Sequence, residues 1–408
     1  MTPLFNQKVK EFINTNINES PVSAGEDMFW KALRAAGTEL WLDTGDIDEA
    51  NANWSAEMSA LTTNNTLLNN EIQKGIYDNF IPSALDIVGH LPMKEKIMEI
   101  AFILNARHGL RLAKRFGGLV SVELHTDTAY DINAIVSYGL RFHAICPKQF
   151  IVKVPYTPEG LIGARRLRDN GVKINFTLEF SARQNALVTL MARPDYLNVF
   201  LGRIGAFIAD NKLGDGNGAG ENAVLSSQKW VTELSKKNDW QTKLIAASLR
   251  NYNQLELLAG TDVYTMPPKV ASAGHKNLSG KFVSMLGRHY DVPLNKEAEG
   301  LGIEKFWDVP QAVINFGNSL SHDVPASGEE LVSRAHEAGL GDMFPRLSGD
   351  DKWKISSEGK IPVLASWKER ILNGELAPDT LLTLAGLASF TSDQKHLDDR
   401  IRAIVTKL

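Results

Sequence analysis

The sequence predicts a (β/α)8 barrel, an α/β fold in which eight parallel strands alternate with helices. Short apolar runs rich in β-forming residues recur along the chain, and longer stretches with helical spacing separate them. The 408 residues also suffice for one large domain with an addition. The predicted strands are Glu39–Asp43, Ala60–Thr63, Leu119–Leu124, Phe150–Pro155, Val172–Thr177, Leu197–Gly202, Lys243–Leu249 and Val263–Pro267.

Helices flank the predicted strands at both ends of the chain. The segment before the first strand has the pattern of one or two amphipathic helices, and Met93–Lys114 and Asp131–Gly139 have helical spacing between strands. Beyond about Lys269 the strand signal fades, and helix candidates remain at Glu329–Ala338, Ala365–Leu372 and His396–Thr406. We therefore predict that residues 1–270 form the barrel with its N-terminal helical segment. Residues 271–408 then add the last barrel helices and a helical C-terminal extension to the same domain.

Composition excludes several classes of function. The 44 basic and 48 acidic residues give a net charge of −4 without a block of like charges, so we expect no nucleic-acid partner. The single cysteine, Cys146, excludes an internal disulfide framework and suits a reducing compartment, and no His-Glu-x-x-His pair suggests a metal site. Met1–Asn18 lacks the apolar core of a signal peptide, and no apolar run is long enough to cross a bilayer. We expect a cytoplasmic protein that has no membrane contact.

The run FIVKVP places a lysine inside a predicted buried strand. Strands of a parallel barrel are covered on both faces, so a polar residue near a carboxyl end needs a reason. Alternation puts Ile151, Lys153 and Pro155 on one face, where burial disfavours the charged form of the amine. This environment favours a lysine nucleophile, although a structural ion pair with a carboxylate explains the same spacing equally well.

Polar residues share a face near the ends of other predicted strands as well. The set includes a lysine, two carboxylates, hydroxyls, amides and an arginine, all near the carboxyl ends of strands that open at one end of the barrel. An imine-forming active site at that end explains this set better than packing does. The sets that alternation places together are Trp41 with Asp43, Ser121 with Glu123, Asn175 with Thr177, Asn198 with Phe200, and Ala246 with Ser248 and Arg250.

Several short motifs in a fixed order resemble the transaldolase family of class I, Schiff-base aldolases. They are LWLDTGD, ALTTNNTLL, VSVEL, IVKVPYTPEGL, INFTLEFSARQ, VFLGRI and AASLRN, and together they cover about Leu40 to Pro268. The resemblance implies a (β/α)8 barrel whose imine lysine lies on the fourth strand, which is the position of Lys153 in the predicted order. It also implies chemistry that needs no metal and no organic cofactor.

The resemblance assigns a role to each matching residue. It makes Lys153 the imine-forming lysine and Asp43 the general acid and base, while Glu123 and Thr177 hold and activate the catalytic water. The substrate-binding set that it implies consists of Asn64 and Asn175 for the hydroxyls of the three-carbon unit, Arg203, Arg250 and Ser248 for the phosphate, and Asn198 and Phe200 in the same site.

Three departures from the family pattern are visible. Asn65 stands where the family has proline, so we expect a less restrained loop after Asn64. Asn198 stands where the family has serine, which leaves the identity of the donor sugar open. The chain beyond Lys269 is longer than in compact members and has no motif that matches them.

The resemblance implies transfer of a dihydroxyacetone unit from a ketose phosphate, of the sedoheptulose 7-phosphate or fructose 6-phosphate type, to an aldose phosphate. Such a reaction belongs to carbohydrate metabolism of the pentose phosphate kind, and sugar phosphates are the expected partners, with a homo-oligomer left open. Two alternatives stay open. A fructose-6-phosphate aldolase-like enzyme would release dihydroxyacetone, against which Phe200, an aromatic without a hydroxyl, argues mildly. A non-catalytic sugar-phosphate-binding barrel would not need a buried lysine.

Overall fold

The computed structural model describes residues 3–407, and its centre is a closed barrel of eight parallel strands. Each strand pairs with its neighbours in sequence, and β8 closes the sheet against β1. The predicted fold class is therefore confirmed. The strands are β1 (Glu39–Asp43), β2 (Met58–Thr62), β3 (Leu119–Glu123), β4 (Phe150–Pro155), β5 (Ile174–Thr177), β6 (Tyr196–Phe200), β7 (Lys243–Ala247) and β8 (Val263–Met266).

Strands β2, β3 and β8 end one residue earlier than predicted, and β6 and β7 end two residues earlier, for identifiable backbone reasons. Strand β6 stops at Phe200 because a helix begins at the next residue. Strand β7 stops at Ala247 because Ser248 adopts a φ of 64°, in the left-handed region that ends an extended segment.

Helices surround the barrel and precede and follow it. Within residues 3–407 no helix combines the length and apolar character that crossing a bilayer requires. The helices are α1 (Pro3–Asn14), α2 (Met28–Ala35), α3 (Ile47–Asn53), α4 (Asn65–Gln73), α5 (Ile81–Val88), α6 (Met93–Phe116), α7 (Ile132–Ile145), α8 (Pro158–Asp169), α9 (Ala182–Met191), α10 (Leu201–Asp210), α11 (Ala219–Asn238), α12 (Gln254–Leu257), α13 (Pro268–Asn277), α14 (Gln311–His322), α15 (Gly328–Glu337), α16 (Gly349–Glu358), α17 (Lys368–Leu372) and α18 (Pro378–Val405).

The helix predicted at His396–Thr406 is wrong in extent, because it is the last part of the 28-residue α18. The first half of α18 is buried on most sides, so it lacks the one-sided apolar pattern that identifies a surface helix. The segment Ala365–Leu372 divides into a 3-10 turn and the short α17. The single-domain organisation of residues 1–270 and 271–408 stays a prediction, and Met1, Thr2 and Leu408 lie outside the described residues.

Apolar side chains fill the interior of the barrel below its mouth. The inward set consists of Trp41, Ala60, Ile151, Ile245, Ala247 and Val263. Lys153 lies one inward position further along β4 than Ile151, on the carboxyl side of this apolar layer. The prediction that Ala246 shares the inward face with Ser248 and Arg250 is wrong. Ala246 packs in the outer core, and the positive φ of Ser248 breaks the alternation after Ala247.

Helix α18 lies across the carboxyl ends of the strands. Near its start, Asp379 forms a buried ion pair with Arg183, which follows β5, through contacts of 2.7 and 2.8 Å. Near its end, Arg400 binds Asp78, which follows β2 and α4, at 2.6 Å. Strands β2 and β5 lie on different sides of the barrel, and 28 residues of helix are about 42 Å long. The helix is therefore held at both ends over the mouth.

The ion pair between Asp379 and Arg183 predicts a large loss of stability in Asp379→Asn. Both side chains are buried. Burial lowers the pKa of Arg183, but the charges of Asp379 and Asp342 raise it overall, and Asp342 remains paired with Arg183 in the variant, so the guanidinium stays charged when Asp379 is neutralised. Removing one partner of a buried pair costs about 3–5 kcal/mol. Urea unfolding should show this loss in Asp379→Asn. The exposed Asp399→Asn on the same helix should change the free energy of unfolding by less than ~1 kcal/mol. Equal stability of the two variants would contradict the anchoring role.

Candidate active site

Three predicted site residues form a row on neighbouring strands. Strand register pairs Glu123 of β3 with Lys153 of β4, and Lys153 with Asn175 of β5. All three side chains are buried. Because paired positions in a parallel sheet point to the same side, the pairing brings these groups to one level of the barrel interior.

Lys153 occupies the middle of this row and is only 3% exposed. Its Nζ donates to the carbonyl oxygen of Thr63 at 3.4 Å. The rings of Phe200 and Phe390 each have their centroid 5.9 Å from Nζ, so the amine faces two aromatic side chains. The amine is thus buried between two aromatic rings on one side and the polar side chains of the neighbouring strands on the other.

Asp43 and Glu123 are the two predicted site carboxyls that interact with the charge of Lys153. Burial raises the pKa of each, and the positive charge of Lys153 opposes that rise. Asp43 also accepts a hydrogen bond of 2.7 Å from the hydroxyl of Thr62, and the charge of Arg250 further favours its ionised form. Carboxyls with raised pKa values beside an amine are suited to proton transfer near neutral pH.

Asn65, which replaces the family's proline, has a contact that proline could not make. Its backbone N–H donates to Oε2 of Glu123 at 3.1 Å. Proline has no N–H, so the departure supplies a donor to the buried carboxyl of Glu123. The preceding Asn64 uses its side-chain oxygen to cap α4, accepting from the N–H of Leu67 at 2.8 Å.

A chain of amide and hydroxyl hydrogen bonds crosses the interior beside Lys153. Asn198 donates to Oδ1 of Asn175 at 2.6 Å, and Asn175 donates to the hydroxyl of Ser121 at 2.9 Å. Asn198 also donates to the carbonyl oxygen of Phe176. The hydroxyl of Thr177 is fully buried and has no hydrogen-bond partner among the described residues. A buried hydroxyl in this state is free to bind a water molecule or a substrate oxygen.

Both predicted arginines lie at the same side of the mouth. Arg203 is in the first turn of α10 and is 6% exposed, and its buried Nη1 has no hydrogen-bond partner among the described residues. Burial and the charge of Arg250 lower the pKa of Arg203 to about 10. Arg250 is exposed, and a Cβ at Gly202 would lie 2.4 Å from its Cγ, so glycine is needed where Arg250 crosses α10. Ser248 is half-buried beside this contact.

A buried histidine supports the loop that follows Asp43. His108 Nε2 lies 2.7 Å from the carbonyl oxygen of Gly45, and Nδ1 lies 2.9 Å from the hydroxyl of Tyr77. A carbonyl only accepts, so Nε2 donates, and Nδ1 accepts from Tyr77. Burial lowers the pKa of His108 to about 4, which keeps the ring neutral.

Three residues near the site were missed by the sequence reasoning. Phe390 and Asp393 come from α18, and no local pattern in that helix distinguishes them from core and surface residues. Glu179 is fully buried two residues after β5, and both of its carboxyl oxygens lack a hydrogen-bond partner among the described residues. Burial raises its pKa well above the usual range, against the opposing charge of Lys153. The acidic residue inside the apolar run TLEF was the signal that could have revealed it.

A lysine buried beside two carboxyls at the mouth of a barrel has the groups that a lysine-imine reaction needs, which is the chemistry of class I aldolases. The described residues contain no group of three or more His, Cys, Asp or Glu side chains placed to hold a metal ion. The site thus combines a buried amine with carboxyls whose pKa values are raised.

Comparison with known proteins agrees with this class. Residues 40–304 match the model of the Transaldolase/Fructose-6-phosphate aldolase family. A probable transaldolase of Thermus thermophilus is 35% identical over 236 residues, which are 57% of this chain and 88% of the relative. A transaldolase of Saccharomyces cerevisiae is 30% identical over a match that covers 58% of this chain and 72% of the relative. A transaldolase of Xanthomonas campestris is 28% identical over a match that covers 63% of this chain and 82% of the relative. The chain belongs to the Transaldolase/Fructose-6-phosphate aldolase family.

The neutral state of His108 predicts a specific loss of stability in acid. Its pKa is about 4 in the folded protein against 6.5 in the unfolded chain, so the unfolded chain binds the proton first as pH falls. Stability from this group is complete above pH 6.5 and falls by about 3 kcal/mol as the pH drops to 4. Unfolding measured from pH 7 to pH 4 should show a steeper loss in wild type than in His108→Gln. The exposed His322→Gln should follow wild type, and parallel curves for all three proteins would refute the assignment.

Proposed function

We propose that this protein, a transaldolase by its family and its relatives, transfers a dihydroxyacetone unit from a ketose phosphate to an aldose phosphate through an imine on Lys153. The observation that carries the proposal is the buried amine of Lys153, whose charge acts on the carboxyls of both Asp43 and Glu123. A binding protein gains nothing from burying such a group, whereas a nucleophilic amine benefits from a chamber that excludes water.

In the proposed mechanism, the unprotonated amine of Lys153 attacks the C2 carbonyl of the donor. The carbinolamine loses water to give the imine, with proton transfers through Glu123 and a water molecule held by Thr177. The free hydroxyl of Thr177 and the raised pKa of Glu123 support these roles.

Cleavage then uses the protonated imine as an electron sink. Asp43 removes the proton of the C4 hydroxyl, the C3–C4 bond breaks, the aldehyde leaves, and the enamine remains attached to Lys153. The acceptor aldehyde adds to the enamine, and the steps run in reverse. Burial of Asp43 and its bond from Thr62 support a base that is held in one orientation.

The remaining predicted residues would bind the substrate. Asn64 and Asn175 would hold hydroxyls of the three-carbon unit, and Asn198 would act through Asn175, to which it donates. Arg203, with Ser248 and Arg250, would bind the phosphate, because the unpartnered Nη1 of Arg203 is a donor still available to an anion.

The family contains both transaldolases and aldolases, and Phe200 favours transfer in this chain. Its ring faces the amine of Lys153 without a hydroxyl that could hold water close to the enamine. Protecting the enamine from water allows the second aldehyde to arrive. We place the reaction in cytoplasmic carbohydrate metabolism of the pentose phosphate kind, which the free Cys146 suits.

Lys153 should become covalently labelled when borohydride reduces the protein in the presence of fructose 6-phosphate. Peptide mass spectrometry should find a reduced three-carbon unit on the peptide that contains Lys153. Lys153→Ala should lose labelling and activity, whereas Lys148→Ala, which removes an exposed lysine just before β4, should retain both. Labelling of another lysine in the wild type would refute the assignment.

Transfer and release can be separated by supplying the donor alone. With fructose 6-phosphate and erythrose 4-phosphate together, turnover should require both substrates and follow ping-pong kinetics. With the donor alone, free dihydroxyacetone should form at least about tenfold more slowly, which corresponds to a barrier difference of about 1.4 kcal/mol. Equal rates in the two experiments would identify an aldolase instead.

A further inference from the structure

Helix α18 covers part of the active site at the carboxyl ends of the strands. It lies in the part of the chain that follows the family match, which ends at residue 304. Gly386, Phe390 and Asp393 are four and three residues apart, so they lie on one face of the helix. Residues on another face of α18, including Leu384 and Ala388, instead line a cavity of about 670 Å³ outside the barrel wall.

The face of α18 towards the mouth approaches Arg203 closely. A Cβ at Gly386 would lie 3.2 Å from Nη1 of Arg203 and 2.9 Å from Cδ2 of Leu178, so the absent side chain permits this approach. The ring centroid of Phe390 lies 5.6 Å from the guanidinium carbon of Arg203 and 5.9 Å from Nζ of Lys153. The helix therefore covers the space between the reactive amine and the predicted phosphate site.

Asp393 lies one helical turn beyond Phe390, which covers Arg203, and it therefore places a negative charge on the side of α18 that faces the guanidinium. The carboxylate accepts a hydrogen bond from the hydroxyl of Thr66, and among the described residues it forms no ion pair with Arg203. Its charge nevertheless acts on Arg203, where it favours the protonated guanidinium and opposes the lowering of the pKa by Arg250. Nη1 of Arg203 has no hydrogen-bond partner among the described residues, so it is available to an anionic ligand within reach of the charge of Asp393.

We propose that Asp393 is a specificity-determining residue, whose carboxylate competes through space with the substrate phosphate for the charge of Arg203. The carboxylate thereby weakens the binding of phosphorylated substrates. As a result, the site prefers phosphorylated over unphosphorylated ketoses by a smaller factor than it would without Asp393. The inference rests on the proposed phosphate role of Arg203. Like charges within one site repel strongly when both are partly shielded from water, and such repulsion is a general source of selectivity.

The sign of the effect follows from the charges. With the site empty, Asp393 partly balances Arg203 and Arg250, which would otherwise repel each other. When a phosphate dianion binds, the same carboxylate faces a second negative group. Removing the charge of Asp393 should therefore strengthen phosphate binding. In the free enzyme the same change increases the repulsion between the two arginines.

Asp393→Asn tests this competition with inorganic phosphate as the probe. The amide oxygen of asparagine can still accept from Thr66, so the substitution removes the charge and keeps the contact. Calorimetric titration should give a Kd for phosphate about 3- to 30-fold lower than in wild type. Kinetics should show a similar rise in the ratio of kcat/KM for fructose 6-phosphate to that for fructose, through a lower KM for the phosphorylated sugar.

Two control variants separate charge from structure. Asp399→Asn removes an exposed carboxylate from the same helix, and Thr66→Val removes the hydrogen bond to Asp393 while its charge remains. Both should bind phosphate within about twofold of wild type. Weaker or unchanged phosphate binding in Asp393→Asn would overturn the proposal. The titration needs no turnover, so it tests the inference separately from the proposed function. If the wild-type protein lacks transaldolase activity but Asp393→Asn binds phosphate more tightly, the proposed function is refuted and the inference is supported.

Discussion

The structure depends on the burial of one amine, that of Lys153, together with two carboxyls inside a closed sheet. Moving isolated charges from water into a protein interior costs several kcal/mol each, and opposite charges at short range offset that cost. Strand register brings Glu123 next to Lys153. Asp43, at the end of β1, is close enough for the charge of Lys153 to act on its carboxyl. The raised pKa values of both carboxyls show that this compensation is incomplete, so the site keeps groups that readily exchange protons.

The sheet makes this arrangement possible because closure removes its edges and gathers all eight carboxyl ends at one mouth. Below the mouth, apolar side chains such as Trp41 and Ile151 fill the interior. Above them, the hydrogen bonds from Asn198 through Asn175 to Ser121 satisfy buried amides that would otherwise be costly. Departures from regular backbone occur where strands end, as at Leu178 and Ser248, whose φ angles are 73° and 64°. Strain of this kind is commonly found where a chain must turn a side chain towards a site.

The C-terminal helix α18 covers the end of the barrel at which the site residues lie. Its buried pair with Arg183 and its contact with Asp78 hold it at both ends, and its middle covers the amine and Arg203. Lys153 and Arg203 are buried beneath this helix, and charge interactions are stronger where water is excluded. Helix α18 also carries Asp393, whose charge acts on Arg203, so this helix contributes to the electrostatics of the site as well as to its shape.

The sequence by itself determined the eight strands, their order and the inward direction of most site residues. It could do so because the two-residue period of a strand is local, and parallel strands in sequential order leave few topologies for closure. Tertiary structure alone decided that Phe390 and Asp393 reach the mouth, that the N–H of Asn65 binds Glu123, and that β7 changes its alternation at Ser248. These features depend on where distant elements pack and on single backbone angles, and neither quantity is encoded in the spacing of apolar residues along the chain.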